Sequence, residues 1–462
     1  MRKITALALP ALALLALVTT APATAFDYPA ERDALMKRLA TIERGEQGLS
    51  EAERLQAFID LQFEYVMLEY PEFATYIGHP VGHDRWTDGS FEAEARRDRD
   101  AANALRVLRS LDRSALEGEE RLNYDLLLQN LEDTVAGARF PGELMPINQM
   151  GGSQQNIAQM FAIMPKGSAR DYENILARLH GASQVVEDEL AHLEKGLAAG
   201  VTPPKITMRD VPQQVQNLLP EDPWQSALLA PFTQFPESIP AADQERMKKE
   251  ALAVYNGQLA PTYRKLHDYM VATYLPGCRE SIAMTALPDG EAWYAFNVRQ
   301  MTTTDMTPQE IHELGLSEVA RIRGEMDKVI AGAGYEGRFD DFTEFLRTDP
   351  QFYFTQASDL LMAYRDIAKR VDAELPRFFG TLPRLPYGVT PVPSYAEKSQ
   401  TTAYYQGGSL EGGRAGQFFA NTYALDTRPK WEMEALTLHE AVPGHHLQLS
   451  IQQELDMPWF RR

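Results

Sequence analysis

The chain has 462 residues, is 44% hydrophobic, and carries 65 acidic against 45 basic side chains for a formal net charge of −20. That acidic surplus disfavours nucleic acid and anionic membrane as partners, because phosphate recognition needs a positive patch, and it suits a soluble exported protein. The length supplies material for one large or two smaller cores, and the single cysteine, Cys278, excludes an internal disulfide.

At the N terminus, Arg2 and Lys3 precede an apolar run from Ile4 to about Val18, and Ala23-Thr24-Ala25 stands before Phe26. This is the pattern of a secretory leader over residues 1–25. The run is shorter than the roughly 20 residues of a spanning helix, and Pro10 interrupts it. A periplasmic or secreted location is expected, with no stable membrane insertion after leader cleavage. Cys278 lies too far from the cleavage site to be a lipidated N terminus.

The rest is patterned as mainly α. Ser50 and Glu53 form a capping box ahead of a stripe of Leu55, Phe58, Ile59, Phe63 and Val66 that ends before Pro71. A second helix runs from Asp171 through Tyr172, Ile175, Leu176, Leu179, Val186, Leu190, Leu193 and Leu197 and closes at Gly200, before Pro203-Pro204. Strand signals are fewer, the best being Leu287 to Val298 and Gln417 to Tyr423, with the turn residues Pro288-Asp289-Gly290 and Gly412-Gly413 beside them. Thr307, Pro308 and Glu310 open a third helix whose expected buried face is Ile311, Leu314, Val319, Ile322, Met326 and Val329. A fourth stripe, Leu360, Leu361, Tyr364, Ile367, Val371 and Leu375, stops at Pro376. Pro203-Pro204 and the proline-rich segment 383–394 read as connectors. No repeat of 20 to 50 residues is visible. The expected organisation is a leader over 1–25, an N-terminal helical region over 26–300, and a region carrying the functional site over 301–462.

That site is the run His439-Glu440-Ala441-Val442-Pro443-Gly444-His445-His446, which holds three of the nine histidines. In the HExxH form, two imidazoles one helical turn apart hold zinc and the intervening Glu polarises water. Here position i+4 is Pro443. On a regular helix His445 would be swung about 120° off the His439 face, and His446 would sit roughly 10 Å further along. Two nitrogens on one tetrahedral zinc are only about 3.3 Å apart. Pro443 cannot donate to the preceding turn and Gly444 tolerates unusual backbone angles, so a bulged or broken helix is expected, with residues looped out at 442–444. His445, directly after the glycine, is the first choice of partner for His439, and His446 the second. Pro-Gly within a polar stretch also reads as a plain turn, but the flanks Trp431, Met433, Leu436, Leu438, Leu447, Leu449 and Ile451 are apolar and helix-prone.

Further landmarks are Tyr-Tyr-Gln-Gly-Gly-Ser from Tyr404, Gly-Arg-Ala-Gly-Gln-Phe-Phe-Ala-Asn-Thr from Gly413, Asp171-Tyr172-Glu173-Asn174-Ile175-Leu176-Ala177-Arg178-Leu179, Leu287-Pro288-Asp289-Gly290 with Tyr294, and His312-Glu313-Leu314-Gly315-Leu316. With the histidine run they resemble the bacterial domain-of-unknown-function family 885, regarded as gluzincin-like metallopeptidases. The likeness extends over nearly everything after the leader. It implies a multi-helix metallopeptidase-like fold around a cleft, with a small antiparallel β element before the metal helix. It also implies a third zinc ligand, a Glu in a downstream Glu-Gly-Trp-Ala motif that would fall beyond Arg462. Glu454, roughly 12 Å past His446 on helical geometry, is a poor substitute. The expectation is thus a C-terminally incomplete zinc peptidase, inactive alone.

In the expected mechanism zinc sits on His439 and His445, with His446 as the alternative, and Glu440 is the general base. The strand at 417–423 would pair with an extended peptide substrate, bringing Gly413, Gly416 and Asn421 near the scissile bond, although a plain hairpin edge serves equally. Tyr404, Tyr405 and Arg414 are the available oxyanion donors, each with an ordinary packing role as the competing assignment. His312 is assigned to the surface or core. The alternatives are a non-catalytic exported protein that binds peptides or a partner, and a metal-dependent amidase.

Overall fold

Helix accounts for 67% of the described residues and strand for 4%, as the 3.6-residue periodicity predicts. The computed structural model describes residues 26–45 and 48–461, so the leader at 1–25 lies outside the described residues. Helices α1 (Tyr28–Arg44), α2 (Glu51–Glu69), α3 (Pro71–Ile77), α4 (Phe91–Arg109) and α5 (Gly118–Gly137) form the N-terminal part. The Ser50/Glu53 capping box is present, and Leu55, Phe58 and Ile59 are buried in one core with Leu35, Leu39, Val107, Leu108 and Leu127. Trp459 and Phe460 pack onto the same core, and the Trp459 indole N–H donates to the Ile59 carbonyl at 3.2 Å. The chain therefore returns to its first helices at residue 459.

The largest core surrounds α7 (Ala169–Ala199), which is flanked by α6 (Ser153–Ile163), α8 (Lys205–Met208), α9 (Val211–Asn217), α10 (Ala241–Val254), α11 (Ala260–Tyr269) and α12 (Leu275–Gly277). Ser168 and Asp171 cap α7, and Gly200 ends it in the left-handed conformation. Arg178 on α7 is fully buried. It donates to the carbonyls of Arg85 (2.8 Å), Pro71 (2.9 Å) and Gly82 (3.2 Å) and to the Thr75 hydroxyl (2.9 Å), which fastens α3 to this core. Burial lowers its pKa to about 10.

Four expectations are corrected. The segment read as a strand at 287–298 is helix α13 (Gly290–Thr302). Its turn chemistry is right, because Asp289 is left-handed and a Cβ on Gly290 would strike the Met284 carbonyl. Trp293 and Phe296, however, lie three apart and both meet Phe140, at 5.6 and 5.3 Å, which is a helical contact pattern. The expected connector at 383–394 contains strand β1 (Tyr387–Pro391); it is an outer strand of the sheet, where proline is tolerated. The sheet is mixed and not antiparallel throughout: β3 (Gly416–Ala420) is central, parallel to β1 and antiparallel to β2 (Ala403–Gln406).

The fourth correction concerns α14 (Pro308–Gly332). Its Thr307/Glu310 cap forms as expected, yet Leu314 (51%), Val319 (66%) and Val329 (69%) are exposed, with Ile322 and Met326 also open and Ile330 alone buried. The period was correct, but the main packing partner of α14 is the short α15 (Phe339–Thr348), and the apolar stripe has no layer over it among the described residues. By contrast α16 (Ala357–Glu374) buries Leu360, Tyr364 and Ile367 against β1, β3 and the helix α17 (Met433–Glu440). Helix α18 (His445–Glu454) follows α17 directly. No described helix is long and apolar enough to cross a membrane.

At the start of α6 the two Glu189 oxygens accept the Ser153 N–H at 2.9 and 3.1 Å. Burial outweighs these bonds and raises the carboxyl from 4.5 to about 7. The folded state therefore holds this proton more tightly than the unfolded chain does, so the contribution is full below the ordinary carboxylate value and is lost as pH rises through about 7. Urea midpoints measured from acid to neutral pH should fall along this window, and Glu189→Gln should flatten that part of the profile; superimposable profiles would refute the assignment.

Candidate metal centre

Helix α17 keeps its last helical bond, Ala441 N–H to the Thr437 carbonyl at 2.9 Å, and then leaves the helical path at Ala441, with ψ −106°. Residues 442–444 loop out, and the Val442–Pro443 peptide is cis. The Gly444 N–H turns back to the Leu438 carbonyl at 2.9 Å, and the His446 N–H reaches the Ala441 carbonyl at 3.0 Å, which restarts the helix as α18. A Cβ on Gly444 would collide with the His439 carbonyl. Glycine is thus required here by close backbone approach, and the break that Pro443-Gly444 predicts is present.

The break brings His439, Glu440 and His445 together, each offering a ligand atom within 4.8 Å of the others. The two imidazoles are 4.6 Å apart between centroids and nearly perpendicular, at 82°, and His445 Nε2 lies 3.8 Å from Glu440 Oε2. Glu440 is buried, His439 is exposed and His445 is half-buried, so the group opens to solvent on its imidazole side. The two imidazoles are donors of the kind zinc takes, and the Glu440 carboxylate stands beside them where a base would be needed.

His446, the second choice as ligand, is turned the other way and stands outside this group. It is 2% exposed, its Nδ1 lies 2.8 Å from the Tyr405 hydroxyl and 3.2 Å from Ser450 Oγ, and its ring packs 4.5 Å from Tyr387. Burial lowers its pKa. Residue i+7 on the restarted helix points into the sheet because three residues were looped out before it.

The remaining expected site residues hold the framework. Tyr404 and Tyr405 alternate on β2: Tyr404 stacks on Phe419 at 4.8 Å, and Tyr405 faces His446, with its ring 6.4 Å from that of His445. Burial pushes both hydroxyls up to about 12. Gly416 leaves room for that contact, since a Cβ there would strike the Tyr405 hydroxyl and lie 3.0 Å from His446 Nδ1. Arg414 donates to the Tyr76 carbonyl at 2.8 Å and pairs through its backbone with Ser409, so it ties the left-handed turn at Gly413 to α3. Asn421 is buried; its amide donates to the carbonyls of Glu397 (2.8 Å) and Thr401 (3.0 Å). Glu454 is bound by Arg384 through its backbone N–H at 2.6 Å and its Nε at 2.7 Å, and His312 is exposed on α14.

The proposed pairing of substrate with the strand before the metal helix needs correction as well: β3 is bonded on both sides, and the free edges belong to β1 and β2. Beside β2, Gln406 lines a cavity of about 540 Å³ together with Phe73, Tyr76, Asn156 and Gln159. Sequence reasoning missed Tyr387, Asp372 and Ser450. Tyr387 covers His446 and donates to Asp372 at 2.9 Å. The one available signal was the i, i+4 spacing of Ser450 from His446.

Fold and site together define a mainly helical protein in which a small mixed sheet supports a broken helix carrying a two-imidazole, one-carboxylate centre. The chain belongs to the family described as bacterial protein of unknown function (DUF885), matched over residues 71–462. It is similar in fold to a solved protein described as "The crystal structure of the putative lipoprotein from Colwellia psychrerythraea", with a TM-score of 0.79 at 18% identity, over 88% of this chain and 73% of that one. No curated protein matches it.

Replacement of Gly444 by Ala should cost about 1–3 kcal/mol of stability and disperse the two imidazoles. Thermal melts with zinc titration test this, and wild-type zinc affinity in Gly444→Ala would sink the claim that close approach at Gly444 assembles the centre.

Proposed function

We propose that the protein is an exported zinc-dependent peptidase. The observation that carries this reading is the convergence of His439, Glu440 and His445 within 4.8 Å across a broken helix. Export is supported by the leader pattern at residues 1–25 and by the description of the fold neighbour as a lipoprotein.

His439 and His445 would hold the metal. Zinc, when bound, supplies Lewis acidity that makes a water acidic near neutral pH and polarises a carbonyl. Glu440, adjacent in sequence to the first ligand and buried, accepts the proton of the attacking water on a carboxylate oxygen and returns it to the leaving amine. An extended peptide would be held along the free edge of β2 by backbone pairing, next to the cavity lined by Gln406, Phe73 and Tyr76. Tyr405 reaches the centre from that strand, but its hydroxyl is bonded to His446, so its work is to position the restarted helix.

Glu440→Gln should lower peptide cleavage by about 10²–10⁴-fold while zinc content, measured by atomic emission, stays near that of the wild type. His439→Ala should strip the metal. Unchanged cleavage in the first variant would remove Glu440 as the base, unchanged zinc in the second would remove His439 as a ligand, and a wild-type chain that neither binds zinc nor cuts any member of a peptide library would leave a non-catalytic binder.

A further inference from the structure

A smaller cavity, of about 290 Å³, lies between α2, α3, the segment that follows β2, and α18. It shares Phe73 and Tyr76 with the cavity beside Gln406. Helical geometry sets its place relative to the metal centre. Leu449, Gln452 and Gln453 line it, and they follow His445 at i+4, i+7 and i+8, which is one face of α18. Leu449 therefore stands one turn, about 6 Å along the axis, from His445. Another part of the wall is backbone: Gly407 and Gly408 continue the chain from the end of β2, and a Cβ on Gly407 would come within 3.0 Å of the Tyr76 hydroxyl.

The wall is apolar, and the carboxamides that border it are already bonded. Phe63, Phe73, Tyr76, Ile77, Leu449 and Trp459 supply most of its surface. The Gln453 carboxamide accepts the Leu410 N–H at 3.0 Å and donates to the carbonyls of Gly408 (3.2 Å) and Leu449 (3.3 Å). Gln452 donates to the Arg461 carbonyl at 3.3 Å, and the Trp459 indole N–H is taken by the Ile59 carbonyl. His79 stands edge-on to Phe63 at 5.5 Å and its Nδ1 is buried without a partner; burial lowers its pKa, so it presents a neutral ring. Glu411 also lines the cavity but is exposed to solvent, where it repels an acidic occupant. A basic side chain would give up its hydration among these rings for one solvated carboxylate, an unfavourable exchange.

The rings of Phe63, Phe73, Tyr76 and Trp459 leave room for one more. A dry cavity of roughly 150 Å³ is enough for benzene, and a ring entering here meets neighbours able to take the edge-on and offset arrangements that aromatic pairs favour; Phe63 and Trp459 already lie 5.7 Å apart at 45°. Phe73 and Tyr76, 37% and 36% exposed, make the cavity reachable from solvent. We infer that this cavity holds an aromatic side chain of a peptide lying along the free edge of β2, and so selects substrates with Phe, Tyr or Trp near the bond that meets the metal centre. That the ring belongs to a peptide substrate rests on the peptidase reading; the preference for an aromatic ring rests on the walls alone.

Binding and cleavage are measured separately. Acetyl-Gly-Phe-Gly-amide and its Ala and Lys counterparts are titrated into the whole chain in the presence of EDTA, with calorimetry and saturation-transfer NMR as readouts, so that no cleavage is needed. The Phe peptide should bind at least tenfold more tightly than either counterpart, and Phe73→Ala should remove that advantage with far-UV circular dichroism unchanged; should Phe73→Ala fail to fold, Tyr76→Ala, in the same exposed wall, carries the test. With zinc restored, a peptide library should be cut preferentially near aromatic residues. Aromatic preference in binding without cleavage in zinc would support the pocket and remove the peptidase reading. Equal or absent binding of the three peptides, an aromatic preference that survives both substitutions, cleavage indifferent to aromatic residues, or saturation by free indole with no peptide bound would each overturn the inference.

Discussion

The contact that the candidate centre depends on is the approach of Gly444 to the last turn of α17. With a hydrogen atom as its side chain, residue 444 can lie against the His439 carbonyl and donate to Leu438. Two short helices are thereby joined almost without a connector. The spacing of six between His439 and His445, incompatible with a regular helix, becomes compatible with one shared ligand position. Pro443 has no N–H with which to continue the bonding of α17. The geometry of the centre is therefore set by backbone sterics, before any metal is considered.

A broken helix has fewer internal bonds to hold its orientation than a continuous one, and the sheet makes good the loss. His446 is buried between Tyr405, Tyr387 and Ser450, so the residue next to His445 is locked to β1 and β2. Gly416 on β3 is the third part of this device, because any larger residue would separate Tyr405 from His446. Of the adjacent histidines, one stands half-buried beside Glu440 and the other anchors the element that carries it. That division gives a physical reason for the His-His pair and for the tyrosine pair on β2.

The parts of this architecture legible in the sequence were those written in local rules. The caps at Ser50 and Thr307, the stop at Gly200 and the break at Pro443-Gly444 depend on neighbours within a few residues, and each is present. Where the outcome depended on partners distant in sequence, local pattern was insufficient. Phe140 decides that residues 290–302 coil around their aromatic pair. The parallel pairing of Tyr387 with Gly416 turns a proline-rich connector into a strand and takes away the edge expected to receive substrate. The choice between His445 and His446 turned on which histidine met Tyr405. The stripe on α14 is the reverse case: periodicity states that a face seeks cover, and cannot state whether cover is there.

The central strand links the histidine motif to the loop between β1 and β2. β3 starts at Gly416, against Tyr405 and His446, and runs to Ala420, where the next residue, Asn421, holds that loop through the Glu397 and Thr401 carbonyls. At about 3.3 Å per residue, the five steps from Gly416 to Asn421 span roughly 17 Å. Phe418 lies between them, fully buried and edge-on to Tyr364 of α16 at 5.2 Å. The strand is thus a rigid spacer with one end packed on the histidine motif and the other tied to the β1–β2 loop. A single short strand, paired on both sides, sets how far apart the histidine motif and this loop stand, and packing changes at Phe418 would be felt at both.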